Sequence, residues 1–131
     1  MLARRLAAEV AFLSIGTNDL TQYVLAADRG NDRVSGIADP LHPAVLRLIG
    51  ETADAAAAAG IPAAICGELA GDPNTTALLI GLGIRELSMS APAIPAVKDA
   101  VRRTTLTDAT ALAADALSRS TAAEVHALLA T

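Results

Sequence analysis

Three short apolar segments, each followed by a polar turn and then by helical residues, constrain the fold of this chain most strongly. The segments Val10–Ile15, Ile61–Cys66 and Ile84–Met89 are rich in aliphatic residues and are bounded by turn residues. This pattern is typical of buried strands in a parallel sheet. Because helical segments separate them, the strands are expected to be parallel and joined by right-handed crossovers. The sequence therefore predicts an α/β fold made of βα units.

The predicted helices are bounded by residues that favour helix starts and stops. Pro43 suits a first helical position, Gly60 a C-terminal stop, and Thr107 an N-terminal cap. The predicted helices span residues 2–9, 19–26, 43–59, about 74–82, a segment beginning at Pro92 or Pro95, about 108–119, and 122–130. Residues 28–42 are expected to form a surface loop. Three strands are too few for a closed barrel, so the pattern fits a small open sheet or the last part of a larger fold.

The composition restricts the class of protein. The 131 residues are 53% hydrophobic and 18% charged, which is enough to bury the core of one globular domain. With a net charge of −4 and no run of basic residues, the chain is not expected to bind nucleic acid. No stretch approaches the roughly 20 apolar residues of a membrane span. Cys66 is the only cysteine, which excludes an intramolecular disulfide and favours a cytoplasmic location.

Polar residues follow the first predicted strand at its end, within Ser14–Leu20. Ligands collect at the carboxyl ends of strands in α/β proteins, so Asn18 and Asp19 are candidate site residues. The Asp19 carboxylate suits a hard cation such as Mg²⁺, although complementing the dipole of the following helix is the commoner role of such a residue. Asn18 suits either a contact to a phosphate oxygen or a turn. Local pattern alone leaves both pairs of alternatives open.

Four further side chains are candidates for chemistry. Arg29 lies ten residues after Asp19 and suits either bidentate phosphate binding or a solvated loop. Cys66 ends the second predicted strand and suits either a proton donor or a small buried apolar residue. Glu68 and Asp72 are either supporting carboxylates or turn residues, with capping favoured for Asp72.

The two histidines are expected to be structural or solvated. His42 precedes Pro43 at the start of a predicted helix. His126 lies on the last predicted helix, and the sequence suggests no carboxylate partner for it. The sequence also lacks a glycine-rich Walker loop, a zinc-ligand spacing and a serine nucleophile elbow.

Three segments together are far more specific than any of these residues alone. They are Phe12–Tyr23, Asp28–Asn31 and Cys66–Asp72. In this order they resemble the C-terminal part of the phosphoenolpyruvate-utilising enzymes. Within that family they look most like Enzyme I of the bacterial sugar phosphotransferase system. Pyruvate phosphate dikinase and phosphoenolpyruvate synthase share the core of the first segment, whereas the other two segments favour Enzyme I.

This resemblance covers essentially the whole chain and implies a fold and a set of roles. The implied fold is a (β/α)₈ barrel whose sixth to eighth strands are the three predicted here, so that residues 1–131 are the C-terminal segment of a phosphoenolpyruvate-binding domain. By similarity, Asp19 is a Mg²⁺ ligand and Asn18 contacts the phosphoryl group. Arg29 binds the substrate phosphate, and Cys66 protonates C3 of the enolate as pyruvate forms. Cationic groups and a positioned acid suit this chemistry.

The resemblance also implies groups that this sequence does not match. In the family, a second Mg²⁺ carboxylate and further arginines lie on earlier strands, and the phosphoryl-accepting histidine lies in an N-terminal domain. The implied protein is a homodimeric, Mg²⁺-dependent protein-histidine phosphotransferase that supplies a phosphocarrier protein. The isolated chain is expected to hold part of its site and to be inactive. The alternatives are a non-catalytic folding or dimerisation fragment, or the corresponding segment of pyruvate phosphate dikinase or phosphoenolpyruvate synthase.

Overall fold

The secondary structure follows the predicted order of elements. A computed structural model describes residues 2–28, 30–31 and 33–130. The helices are α1 Ala3–Ala7, α2 Thr17–Leu25, α3 Pro43–Ala59, α4 Thr76–Gly81, α5 Ile94–Arg103, α6 Leu106–Ser118 and α7 Ala122–Leu129. The strands are β1 Leu13–Gly16, β2 Ala63–Cys66 and β3 Glu86–Ser88, with 3₁₀ turns at Ser35–Ile37, Glu68–Gly71 and Ala91–Ala93. The predicted α/β class is confirmed.

The three strands form one parallel sheet in the order β1-β2-β3. Gly16 is aligned with Cys66, and Cys66 with Ser88, so the carboxyl ends of all three strands lie side by side. This alignment brings the polar turns that follow the strands to one edge of the sheet. We call it the carboxyl edge.

The strands are shorter than predicted. β1 begins at Leu13 rather than Val10, and the side chains of Val10 and Phe12 remain 42% and 59% exposed. In the sheet, β1 pairs with β2, which is itself only four residues long. The length of the neighbouring ladder, rather than the length of the apolar run, therefore sets the length of β1.

Helix boundaries that depend on local chemistry agree best with the prediction. The bounds of α3 are confirmed, with Gly60 in the left-handed region at φ +70° after its last residue. The backbone N–H of Ala44 donates to Nδ1 of His42 over 3.1 Å. His42 therefore caps α3, in agreement with the structural role expected for it. In contrast, α2 begins at Thr17 instead of Asp19.

The predicted cap of α6 is wrong. Thr105, not Thr107, precedes the helix, and its hydroxyl accepts a hydrogen bond from the backbone N–H of Asp108 at 3.1 Å. Thr107 is already in the first turn, where its own backbone is helical. A capping box of Thr121 and Glu124 begins α7 at Ala122, where the prediction placed it.

The core lies between the sheet, α3, α4 and the C-terminal helices. Its fully buried large apolar side chains are Val45, Leu46, Ile49, Ile65, Leu78, Leu79, Ile84 and Val125. Alanines on α6 let helices approach closely, and a side chain at Gly81 of α4 would collide with the Ala109 backbone. In the described part of the chain, no helix combines the length and the apolar character needed to cross a bilayer.

Candidate functional site

A cavity of about 580 Å³ opens at the carboxyl edge. Its walls come from the first turn of α2, the turn after β2 and the turn after β3. The lining residues are Asn18, Gly67, Glu68, Gly71, Asp72, Ser88, Met89, Ser90 and Ala93. This is where a parallel α/β sheet binds ligands, because the loops that follow the strands converge there.

Asn18 and Asp19 are adjacent in the chain but face different cavities. The half-buried Asn18 lines the 580 Å³ cavity and also a smaller one of about 140 Å³. Asp19 is exposed and lines a third cavity, of about 350 Å³, together with Tyr23 and Asp28. Since α2 already begins at Thr17, the two side chains are successive helical residues and project roughly 100° apart.

Cys66 is the last residue of β2 and is half-buried. Its thiol donates a hydrogen bond to the carbonyl oxygen of Ile15 over 3.6 Å. Among the described residues, Gly67 and Glu68 line the 580 Å³ cavity and Cys66 does not. The thiol therefore lies beside the cavity wall and faces the neighbouring strand.

Thr17 connects the two halves of the carboxyl edge. It is fully buried, and its hydroxyl donates to the carbonyl oxygen of Cys66 over 3.0 Å. Gly67 has φ +109°, and a Cβ atom there would lie 2.5 Å from Thr17 Oγ1 and 3.3 Å from Asn18 Oδ1. Glycine thus satisfies both the backbone conformation and the close approach of the two turns.

The loop after α2 contains Arg29, which lies outside the described residues, so its predicted role stays a prediction. Asp28 Oδ1 accepts from the Gly30 N–H at 2.8 Å, and Asn31 Oδ1 accepts from the Arg33 N–H at 3.1 Å.

The carboxylates of the described residues suit one part of a magnesium site and do not form a complete one. Within residues 2–28, 30–31 and 33–130, no three His, Cys, Asp or Glu side chains converge on a common metal position. Asp19 is exposed, and Asp28 lines the same cavity. Mg²⁺ is commonly held by one or two carboxylates with water and substrate phosphate, so the Asp19 donor fits that ion as one ligand of several.

Asp72 and His126 have structural contacts, whereas Glu68 is exposed and lines the 580 Å³ and 140 Å³ cavities. Asp72 Oδ1 accepts from the Asn74 N–H at 2.9 Å, which makes Asp72 a turn residue, although it also lines the 580 Å³ cavity. His126 Nε2 lies 2.8 Å from Asp39 Oδ2, 87 residues away in the chain. No local pattern in the sequence pointed to this partner.

Sequence reasoning missed the wall formed by Ser88, Met89 and Ser90, and it gave no role to Thr17 or Gly67. The wall was within reach of the rule that ligands bind at the carboxyl ends of strands, because these residues lie at the end of β3 and directly after it. The roles of Thr17 and Gly67 depend on an approach between turns about 50 residues apart, which has no local signal.

These features define an α/β segment with a cavity at the carboxyl edge of a parallel sheet. Residues 1–106 match the family model described as PEP-utilising enzyme, PEP-binding domain, where PEP is phosphoenolpyruvate. The chain belongs to this family, as the three sequence segments predicted.

Curated relatives with high identity carry phosphotransferase names. Phosphoenolpyruvate-protein phosphotransferase of Haemophilus influenzae is 51% identical over 127 residues, which cover 97% of this chain and 22% of the relative. The protein of the same name from Haloferax volcanii is 52% identical over 128 residues, covering 98% of this chain and 23% of the relative. The multiphosphoryl transfer protein of Rhodobacter capsulatus is 52% identical over 128 residues, covering 98% and 16%. The chain thus spans less than a quarter of the length of these relatives.

Proposed function

We propose that this chain is the C-terminal segment of a phosphoenolpyruvate-binding (β/α)₈ barrel in a Mg²⁺-dependent protein-histidine phosphotransferase. The observation that carries the proposal is the carboxyl-edge cavity, which is lined by Asn18. The chain that forms this cavity is about half identical to relatives named as phosphotransferases. The reaction moves the phosphoryl group of phosphoenolpyruvate to a histidine, and the enolate left behind becomes pyruvate.

The barrel part of the proposal is supported by strand order. Consecutive strands of a (β/α)₈ barrel are neighbours and parallel, as β1, β2 and β3 are. β1 and β3 each have one paired neighbour among the described strands. In a closed barrel the free edge of each would pair with a further strand.

Four side chains carry the proposed chemistry. The Asn18 amide donates to a phosphoryl oxygen in the cavity, and Arg29 binds the substrate phosphate. Asp19, which faces the adjoining cavity, would supply one carboxylate to Mg²⁺, and the bound ion would neutralise charge on a phosphoryl group that reaches from the Asn18 cavity around the first turn of α2. The oxygen–phosphorus bond breaks as the phosphoryl group leaves, and the enolate receives a proton at C3 from the thiol of Cys66. Solvent then restores the thiol proton.

Cys66 has to turn before it can deliver this proton. In the structure the thiol donates to the Ile15 carbonyl, beside the wall that Gly67 and Glu68 form. Rotation about the Cα–Cβ bond exchanges this weak sulfur hydrogen bond for a position facing the substrate. We expect the phosphoryl group to pass on to a phosphocarrier protein, and the intact enzyme to be a cytoplasmic homodimer.

A second candidate is a non-catalytic folding or dimerisation module. It is favoured by the free edge of β1 and by the adjacent Phe12, which is 59% exposed and could cover apolar surface on another chain segment. Isothermal titration of the 131-residue chain with phosphoenolpyruvate and Mg²⁺ separates the two candidates. Micromolar binding supports a site within the segment, and absence of heat supports the module. We expect little or no turnover from the isolated chain in either case.

The metal role is tested in a full-length phosphotransferase that carries this segment. Asp19→Ala is expected to raise the Mg²⁺ concentration needed for half-maximal pyruvate formation at least tenfold, because one carboxylate ligand is lost. Asp54→Ala is the matched control, since Asp54 is an exposed carboxylate on α3 that lines a cavity with Ala3, Arg4 and Glu51 instead. Equal Mg²⁺ dependence of the Asp19→Ala variant and the parent would remove Asp19 from the site.

A further inference from the structure

We infer that Thr17 is a positioning residue, whose hydroxyl holds the proton-donor end of β2 in register with the phosphate-binding end of α2. The inference rests on the proposed roles of Cys66 and Asn18, and it assigns Thr17 a task in the same reaction. The observation behind it is a reciprocal pair of hydrogen bonds between the two strand ends. We call this pair the strand-end clasp.

The strand-end clasp consists of two side-chain donors that cross in opposite directions. Thr17 Oγ1 donates to the carbonyl oxygen of Cys66 over 3.0 Å, while Cys66 Sγ donates to the carbonyl oxygen of Ile15 over 3.6 Å. Gly16 and Cys66 are the last aligned pair of the β1–β2 ladder. The Thr17 bond therefore extends the contact between the two strands one residue past the end of β1, while the Cys66 bond lies within the ladder.

Burial makes the Thr17 hydroxyl a fixed group. Thr17 is fully buried, so water cannot replace its hydrogen bond to Cys66 without opening the turn. From the other side, Gly67 approaches so closely that any side chain there would meet Thr17 Oγ1 at 2.5 Å. The hydroxyl is thus held between the Cys66 carbonyl and the Gly67 backbone, and β-branched threonine restricts its rotation further.

Thr17 can couple Asn18 to Cys66 because its backbone adjoins Asn18 and its side chain bonds the carbonyl oxygen of Cys66. It immediately precedes Asn18 in α2, and its carbonyl oxygen accepts a hydrogen bond from Thr21 Oγ1 at 2.7 Å. Its side chain holds the residue that carries the thiol. A shift of β2 relative to α2 would therefore stretch the Thr17–Cys66 bond and move the thiol relative to the substrate phosphate. Small errors in such positions slow catalysis without abolishing binding.

The first test uses the 131-residue chain and its one cysteine. Iodoacetamide reports only on Cys66, so its alkylation rate measures how often the end of β2 opens and exposes the thiol. Thr17→Val keeps the shape of the side chain but removes the donor, and we expect alkylation about fivefold faster, as for loss of one hydrogen bond of ordinary strength. Thr17→Ser keeps the hydroxyl and should alkylate at nearly the parent rate.

Thr52→Val is the matched control. Thr52 is half-buried on α3, and its hydroxyl donates to the carbonyl oxygen of Leu48 over 2.7 Å, away from Thr17 and the β2 end. The variant loses one hydroxyl hydrogen bond and should leave alkylation unchanged. Equal acceleration in the Thr17→Val and Thr52→Val variants, or none in Thr17→Val, overturns the inference. If Thr17→Val does not fold, Thr17→Ala replaces it. It removes the same donor without adding bulk and must accelerate alkylation in the same way, and failure to do so overturns the inference.

The second test uses a full-length phosphotransferase that carries this segment. Thr17→Val should lower kcat for pyruvate formation about fivefold and leave the KM for phosphoenolpyruvate within twofold, with recovery in Thr17→Ser. Faster alkylation with unchanged kcat would refute the positioning role. Cys66→Ser assayed in parallel distinguishes a failure of the proposed role of Cys66 from a failure of the inference about Thr17. If that variant keeps full turnover, the proposed role of Cys66 fails, whereas the alkylation result still decides whether Thr17 holds the β2 end.

Discussion

Two helical glycines should respond to alanine in opposite directions. Gly81 is the last residue of α4, and Gly50 lies within α3. In a helix, alanine is favoured over glycine by about 0.8–1 kcal/mol, so propensity alone predicts that both substitutions stabilise the protein. The contacts around the two positions differ, and they decide the sign of the change.

The surroundings of Gly81 leave no room for a methyl group. A Cβ at Gly81 would overlap the Ala109 backbone carbonyl and lie 2.9 Å from the Ala113 side chain, so α4 and α6 would have to separate. Overpacking of this kind costs about 1–3 kcal/mol, and displacing a backbone places it at the upper end of that range. After the gain in propensity, we expect Gly81→Ala to lower the free energy of unfolding by about 2 kcal/mol.

Gly50 provides the matched control. A Cβ there would lie 3.6 Å from Leu82 Cδ2, which is an ordinary van der Waals contact. Gly50→Ala should therefore raise the free energy of unfolding by about 0.5–1 kcal/mol. Urea denaturation followed by circular dichroism measures both changes, provided that the slope with denaturant is the same in the variants. Stabilisation by Gly81→Ala would refute the close α4–α6 contact.

Two predictions concern the C-terminal helices. Thr105→Val removes the α6 cap and should lower the free energy of unfolding by about 1 kcal/mol. Thr107→Val should change it by no more than about 0.5 kcal/mol. Equal losses in urea denaturation would contradict the assignment of the cap to Thr105. The backbone N–H groups of Ser120 and Thr121 donate to Glu124 and lower the pKa of its carboxyl below the ordinary 4.5. Its stabilisation is therefore present above about pH 4.5 and is lost as the pH falls through the folded-state pKa. In thermal unfolding from pH 6 to pH 3, Glu124→Gln should flatten that part of the profile, and an unchanged profile would contradict the role of Glu124.

The bounds of a helix could be predicted well where residues next to its ends favour a start or a stop. α3 has a proline at its first residue and a left-handed glycine directly after its last, so its bounds followed from local chemistry. The cap of α6 was within reach as well. A cap at Thr105 places the acidic Asp108 in the first turn of the helix, where a carboxylate is favoured, and this favours Thr105 over Thr107.

Elements that depend on distant partners could not be predicted in the same way. The apolar residues Val10 and Phe12 look like strand residues, but the ladder of β1 begins only at Leu13, where β2 provides a partner. The contact between His126 and Asp39 joins residues 87 positions apart. Neither feature has a periodicity or spacing that a local reading of the chain can detect.

The sequence indicated the edge of the sheet where the candidate side chains lie, but not how they are arranged there. The rule that ligands bind at the carboxyl ends of strands made Asn18 a candidate, and Asn18 lines a cavity at that edge, while its role in binding stays a prediction. The same rule did not separate Asn18 from Asp19, because their different directions depend on α2 beginning at Thr17. One turn of helix geometry therefore decides which cavity each side chain faces.

The most direct test of the proposed function is pyruvate formation by a full-length phosphotransferase that carries this segment, with Cys66 replaced by serine. Serine keeps the size of the side chain but is a much weaker acid than the thiol, so proton delivery to C3 should slow. General acids typically contribute a factor of 10² to 10⁴, and we expect the rate with phosphoenolpyruvate and Mg²⁺ to fall by about 100-fold or more. A Cys66→Ser enzyme that forms pyruvate at the parent rate would contradict the assignment of Cys66 as the proton donor.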